Sequence, residues 1–228
     1  MASLIHEAGF PAGVVNVLSG HGECRAPRSP CLPLTIRHKP TDTAVGTPSG
    51  STLSSHMDVR LINFTGSTAT GRKIQQAAAS SNLKKVVLEL GGKSPAVVFE
   101  DADIATAAAE TVGSMAMLSG QACMANSRVY VQESIAEKFK EAFVTIFKGM
   151  KKGDPLLPET QSGPQADELQ LERIKAYLKA ASEEGGKLET GGDVAKVDGT
   201  GYFVEPTVYT NVPEDSRTQK EEVSKERT

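Results

Sequence analysis

An α/β fold is predicted by three observations. Short β-branched runs recur along the chain, helical periodicities separate them, and Gly or Pro marks nearly every change of pattern. The clearest instance is Val59 to Phe64, a strand-like run that ends in Thr65-Gly66-Ser67-Thr68-Ala69-Thr70-Gly71 and opens a helix expected over Arg72 to Ser81. With 228 residues the chain can form one large domain or two small ones and bury a core.

Residues 2 to 9 have the pattern of an amphipathic helix end stopped by Gly9 and Pro11, and Val14 to Leu18 reads as the strand after it. From Glu23 to Gly46 the periodicity stops. Pro27, Pro30, Pro33 and Pro40 stand among basic residues, in a stretch longer than most connections inside a compact domain. It reads as a disordered surface insertion, a specialised loop or translated non-coding sequence.

Val86 to Leu88 is an apolar run that delivers Glu89 into a Leu90-Gly91-Gly92 bend, and Ala96 to Phe99 is a second such run. An alanine-rich helix over Ile104 to Ser119, with Asp101 and Asp103 near its start, leads to Gly120-Gln121-Ala122-Cys123. Met115, Met117 and Leu118 read as core residues. Val129 to Val131 follows as a strand and Ser134 to Lys148 as a helix with Ala136, Phe139, Ala142 and Phe143 on one face. A further helix is expected over Ala166 to Glu184, stopped by Gly185-Gly186, and strand pieces over Lys187 to Gly192 and Gly201 to Val208.

The formal net charge is -3 and no dense basic patch is visible, which argues against nucleic acid as a partner. Pairs such as Lys84-Lys85 and Lys151-Lys152 read as solvated faces. Three cysteines, Cys24, Cys31 and Cys123, are too few for a disulfide scaffold. No signal peptide and no apolar run of membrane-spanning length is seen, so a cytoplasmic, reducing setting is expected, with Cys123 a free thiol. No metal site is expected.

Glu89 and Cys123 are complementary tools. A thiolate attacks a carbonyl carbon, and a carboxylate activates the water that resolves the adduct. On residue type alone, each also fits a bland role, the cysteine as a small buried hydrophobe and the glutamate as a solvated strand end. The Gly66 to Gly71 turn likewise has two readings. A strand, Gly turn and helix present backbone N–H groups to an anion such as a pyrophosphate, or simply cap the helix.

The wording around these residues decides between them. LELGGKSP, then GQAC, preceded by FTGSTATG, resembles the aldehyde dehydrogenase family over about Met1 to Gly22 and Thr47 to Val223. The resemblance implies a partial fold of that family: a Rossmann-like half domain followed by part of an α/β catalytic domain. On it, residues 1–90 are the later part of a cofactor-binding domain, with 23–46 a disordered insertion, residues 91–223 the earlier part of a catalytic domain, and 224–228 a tail; translated non-coding sequence is favoured for 23–46, because sequence like the family's resumes at about Thr47. It implies that Cys123 is the nucleophile and Glu89 the general base. Gly66, Ser67, Thr68, Gly71, Leu90 and Glu222 become cofactor-binding residues, with NAD or NADP as the cofactor.

An aldehyde substrate and no membrane partner are implied, with a homo-oligomer as the assembly. The alternative is an inactive remnant or interaction protein that pairs with full-length homologues through exposed sheet edges. Several family segments have no match here, among them the asparagine that assists the oxyanion, the residues that hold the adenosine ribose and the oligomerisation strand. Turnover below the family's rate is therefore expected. Glu222 lies in a charged tail and is expected to fray.

Overall fold

In the computed structural model, residues 2–17, 48–197 and 199–223 are described. The 23–46 stretch, Leu18 and the 224–228 tail lie outside them. The described residues group into two compact units, one drawn from Met1–Phe64 and Thr70–Leu88, the other from Thr65–Ala69 and Glu89–Thr228.

In the first unit, α1 (Ala2–Glu7) is followed by turns rather than the strand read from Val14 to Leu18. Val14, Val15 and Val17 are exposed, and no strand pairs with them among the described residues. β-branching alone did not make a strand, since an extended run needs a neighbour to bond. α2 (Pro48–Ser55) precedes β1 (Leu61–Gly66), α3 (Thr68–Ala79) and β2 (Lys85–Leu90), and β1 pairs with β2.

Lys84 corrects the expectation of a solvated lysine pair. Only 6% exposed, it donates from Nζ to the Ser54 carbonyl at 2.6 Å and to Ser81 Oγ at 2.7 Å. A buried lysine side chain persists here because its donors find acceptors. Its neighbour Lys85 is exposed.

The second unit has its main core beneath a parallel pair, β3 (Pro95–Val98) and β4 (Arg128–Val131), in the register Pro95 to Arg128 through Val98 to Val131. α4 (Ile104–Ala116) and α5 (Ala136–Gly149) cover it. Val98, Ala108, Val112, Phe139, Phe143 and Phe147 form the buried cluster. The three phenylalanines recur every fourth residue of α5 and stack in series, with ring centroids 5.7 and 5.1 Å apart. The opposite face of the pair is exposed at Val97 and Tyr130.

α4 starts at a cap, where the Asp103 carboxylate accepts from the Thr106 N–H at 2.8 Å. That bond holds the Asp103 pKa below the ordinary carboxylate value. The helix ends earlier than expected, at Ala116, and continues as a 3-10 turn over Met117–Gly120. Leu118 and Ser119 take φ of 50° and 59° there, which turns Met117 and Leu118 out to 48% and 71% exposure. Those two are not core residues, whereas Met115 packs against the cluster.

α6 (Glu168–Glu183) is capped by Asp167 and stops at Gly185, whose φ of +93° favours glycine. Two antiparallel pairs follow, β5 (Lys187–Thr190) with β8 (Val208–Thr210), and β6 (Val194–Val197) with β7 (Thr200–Val204). A short α7 (Arg217–Lys220) ends the described chain. No described helix is long and apolar enough to cross a membrane.

Candidate active site

β3 and β4 run parallel, so the segments that enter them lie at one end of the pair. Gly91 to Ser94, which follows Glu89, enters β3. Ala122 to Ser127, which carries Cys123, enters β4. Arg128 then ties the two segments together. Its N–H donates to the Ser94 carbonyl at 3.3 Å, and its guanidinium forks onto the Lys93 carbonyl from Nε at 2.9 Å and Nη2 at 2.6 Å. The two motif loops are thus joined by one side chain.

Within these loops Glu89 is exposed near the end of β2, and Cys123 is an exposed free thiol in a turn. No hydrogen bond joins them among the described residues. Neither lines either of two cavities in the second unit, of about 700 and 410 Å³.

The cysteine turn is anchored by a pair of glutamines. Gln121 donates from Nε2 to the Leu118 carbonyl at 2.9 Å and to the Pro164 carbonyl at 3.3 Å, while its Oε1 accepts from the Ala166 N–H at 2.9 Å. Gln165, 6% exposed, donates to the Ser119 carbonyl at 3.1 Å. Among the described residues its Oε1 is buried with no partner. Left-handed backbone at non-glycine residues costs about 1–3 kcal/mol each, so the Leu118 and Ser119 turn persists because these bonds over-determine it.

Glu222 corrects the expectation of a fraying tail. Its carboxylate lies on Gly91 so closely that a Cβ there would overlap it, and it acts electrostatically on Lys93. The Lys93 pKa is pushed below the ordinary lysine value, first by burial and then by the Arg128 cation, with Glu222 opposing. Leu90, half-buried, directly precedes Gly91.

Gly66 closes β1, Ser67 follows, and α3 begins at Thr68, with Gly71 buried one turn in. The chain thus passes from a strand through Gly66 and Ser67 into a helix N-terminus, where orphan N–H groups can hold an anion. Among the described residues no cluster of three His, Cys, Asp or Glu side chains could hold a metal.

Three participants escaped the sequence reading. Gln121 was within the quoted GQAC and Arg128 at the edge of a strand run, but a glutamine beside a cysteine and an arginine before a strand have no pattern that names their partners. Gln165 had no local signal.

The chain is similar to proteins of one family. The sequence model of the aldehyde dehydrogenase family matches residues 43–224. The aldehyde dehydrogenase of Davidiella tassiana is 46% identical over 222 residues, 97% of this chain and 40% of that protein. That of Alternaria alternata is 43% identical over 220 residues, 96% of this chain and 39% of its own length. A crystal structure of betaine aldehyde dehydrogenase from Staphylococcus aureus in complex with NAD+ is similar at a TM-score of 0.74 and 37% identity, covering 78% of this chain and 36% of that one. The chain spans about two fifths of the length of the curated relatives it matches. From the matched span and the ordered motifs within it, the chain belongs to the aldehyde dehydrogenase family.

Proposed function

We propose that the chain carries the chemistry of aldehyde oxidation to a carboxylic acid, with Cys123 as nucleophile and Glu89 as general base. The observation that carries this reading is the Arg128 fork, which ties the Lys93 loop after Glu89 to the strand entered from the cysteine turn. Residues 1–90 then serve as the later part of a cofactor-binding domain and 91–223 as the earlier part of a catalytic one.

In this mechanism the Cys123 thiolate adds to the aldehyde carbon and forms a thiohemiacetal. The backbone N–H of Cys123 donates to the oxyanion. Oxidation of this adduct to a thioester by loss of hydride would draw on NAD or NADP, held at the Gly66, Ser67 and Thr68 turn, as the acceptor. Glu89 takes a proton from water, which attacks the thioester carbon, and the acid leaves as the Cys123 sulfur departs.

The residues present fit such a cofactor. Gly66, Ser67 and Thr68 lead into a helix N-terminus suited to a pyrophosphate, and Gly71 leaves the first turn of that helix without a side chain. Leu90 directly precedes Gly91, on which the Glu222 carboxylate lies, and the two would face the nicotinamide end.

The test is to purify the chain and follow NADH formation with short aliphatic and aromatic aldehydes, and ester hydrolysis alongside. Cys123→Ala and Glu89→Gln are the controls. Turnover in either assay that is lost in both variants supports the reading. Activity that survives Cys123→Ala rejects it.

A second reading is pairing with full-length relatives or with a second copy. The described strands support it, since they form only two-stranded sheets whose outer edges lack a strand partner. Co-purification with a full-length aldehyde dehydrogenase tests that reading.

A further inference from the structure

Glu222 follows a residue whose contacts run the other way. Glu221 leaves α7 in extended backbone, with φ of -109° and ψ of 143°. In an extended chain successive side chains point to opposite sides. The Glu222 carboxylate lies on Gly91, so closely that a Cβ there would overlap both of its oxygens. The Glu221 carboxylate turns back onto α6 and α7, where two donors hold it.

The Tyr177 hydroxyl donates to Glu221 Oε2 at 2.8 Å, and Arg217 Nε donates to the same oxygen at 2.9 Å. The Arg217 guanidinium also lies over the Tyr177 ring, 4.2 Å from its centroid. The three side chains close a triangle in which each touches the other two.

Two corners of the triangle are fixed independently of Glu221. Tyr177, on α6, is 5% exposed and held by packing. Its pKa is pushed above the ordinary tyrosine value, first by burial and then by the bond to Glu221, so the phenol stays a donor. Arg217 opens α7, and its N–H donates to Glu184 Oε1 at 3.2 Å, beside Thr218 Oγ1, which donates to Glu184 Oε2 at 3.2 Å. Glu184 is the residue that ends α6.

With four residues, α7 is too short to hold its place by its own hydrogen bonds. Apolar contact is non-directional and would dock it without fixing its register, whereas two charge-assisted bonds to one oxygen fix one residue. The residue so fixed is the one before Glu222.

We propose that Tyr177, Arg217 and Glu221 are positioning residues for Glu222, which aim its carboxylate over Gly91 at the nicotinamide end of a bound cofactor. Glu221 is gripped from behind, and Glu222, one residue on and on the opposite side, is thereby kept in place. The inference rests on the cofactor role proposed above for Glu222.

The experiment uses the full chain, isotopically labelled, and reads the aim first without ligand, as the nuclear Overhauser contact between the Gly91 α protons and the Glu222 γ protons. Glu221→Ala is expected to lose this contact below the unfolding transition. Tyr177→Phe, which keeps the buried ring and removes only the hydroxyl, is expected to weaken it. Glu221→Gln keeps an acceptor for both donors and should retain most of it. Equilibrium dialysis then compares NAD+ with ADP, which carries the pyrophosphate but not the nicotinamide half. Glu221→Ala should weaken NAD+ binding by about tenfold, the size of one lost hydrogen bond to a charged group, and leave ADP binding unchanged. In a Glu222→Gln background the same substitution should add little, because its effect passes through Glu222.

A Gly91 contact that survives in both Glu221→Ala and Tyr177→Phe overturns the proposal. So does an equal loss of NAD+ and ADP affinity, or full additivity with Glu222→Gln, either of which makes the triangle a brace for the whole unit. A parent chain that binds no NAD+ rejects the cofactor reading, and the positioning of Glu222 then stands or falls on the Gly91 contact.

Discussion

The phenylalanine core beneath β3 and β4 and the motif loops at the end of the same strands lie close in the chain, yet they are held in different ways. The core holds by area, with Phe139, Phe143 and Phe147 each at most 5% exposed and stacked on one another. The loops hold by a few directed bonds, the Arg128 fork and the two glutamines, and leave Glu89 and Cys123 in solvent. Apolar burial is non-directional and tolerates drift, whereas a side chain gripping a single carbonyl sets one position. A site that must present a thiol and a carboxylate to a substrate needs the second kind of support, built on the first.

Breaking the core should have the largest effect. Phe143→Ala removes the middle ring of the stack, and a buried phenylalanine truncated to alanine costs about 3–5 kcal/mol. Against a typical domain stability of about 5–15 kcal/mol, that threatens the whole unit. A urea denaturation midpoint that falls sharply with unchanged slope is the expected result. If the midpoint barely moves, the core is not what carries the loops.

Breaking the tether should cost less in stability and more in the site. Arg128→Ala removes a charge-assisted fork, about 1.5–3 kcal/mol, and frees the Lys93 carbonyl. The alkylation rate of Cys123 by iodoacetamide is expected to change in this variant, while in Phe143→Ala below its unfolding transition it stays near the parent value. Equal changes in both would erase the distinction between core and tether.

These two kinds of support also differ in how they could be read in advance. The Phe139 and Phe143 face of α5 and the caps and stops of α4 and α6 follow from periodicity and local chemistry, which repeat within a few residues. Glu89, Cys123 and the Gly66 turn were found through motif wording. Arg128 and Gln165 were not found, because their partners Lys93 and Ser119 are set by the strand register and loop approach, which no local pattern encodes. Val14 to Val17 failed in the opposite direction, since a local strand preference had no described neighbour to bond, and Lys84 failed because the Ser54 carbonyl it donates to comes from α2, far back in the chain.

A smaller perturbation separates Glu222 from the loop it touches. In Gly91→Ala the new methyl group overlaps the Glu222 carboxylate, and overpacking of this kind costs about 1–3 kcal/mol unless the carboxylate moves away. The expected outcome is faster amide exchange over Arg217 to Val223, with little change in β3. Gly91→Ala combined with Glu222→Ala should recover most of the lost stability. Failure of that rescue would mean that Gly91 is held by contacts other than Glu222.

The smallest effect is a slope with pH, and it tests whether the tether acts on charge as well as position. The folded Lys93 pKa lies below the ordinary lysine value near ~10.4, with burial the first cause and Arg128 the second. Below the folded pKa the lysine is protonated in both states, and the folded state bears the cost of a half-buried ammonium beside a guanidinium. As pH rises through the folded pKa, the folded chain releases the proton while the unfolded chain keeps it, so stability rises until about 10.4 and then levels. Lys93→Met should flatten this segment of the curve. Arg128→Gln should narrow the window, since it removes the neighbouring cation, and Glu222→Gln should widen it, since it removes the opposing carboxylate. Denaturation series across that range, run on the three variants, read all of this directly. If Arg128→Gln leaves the Lys93 window unchanged, the arginine acts on the loop through its hydrogen bonds alone.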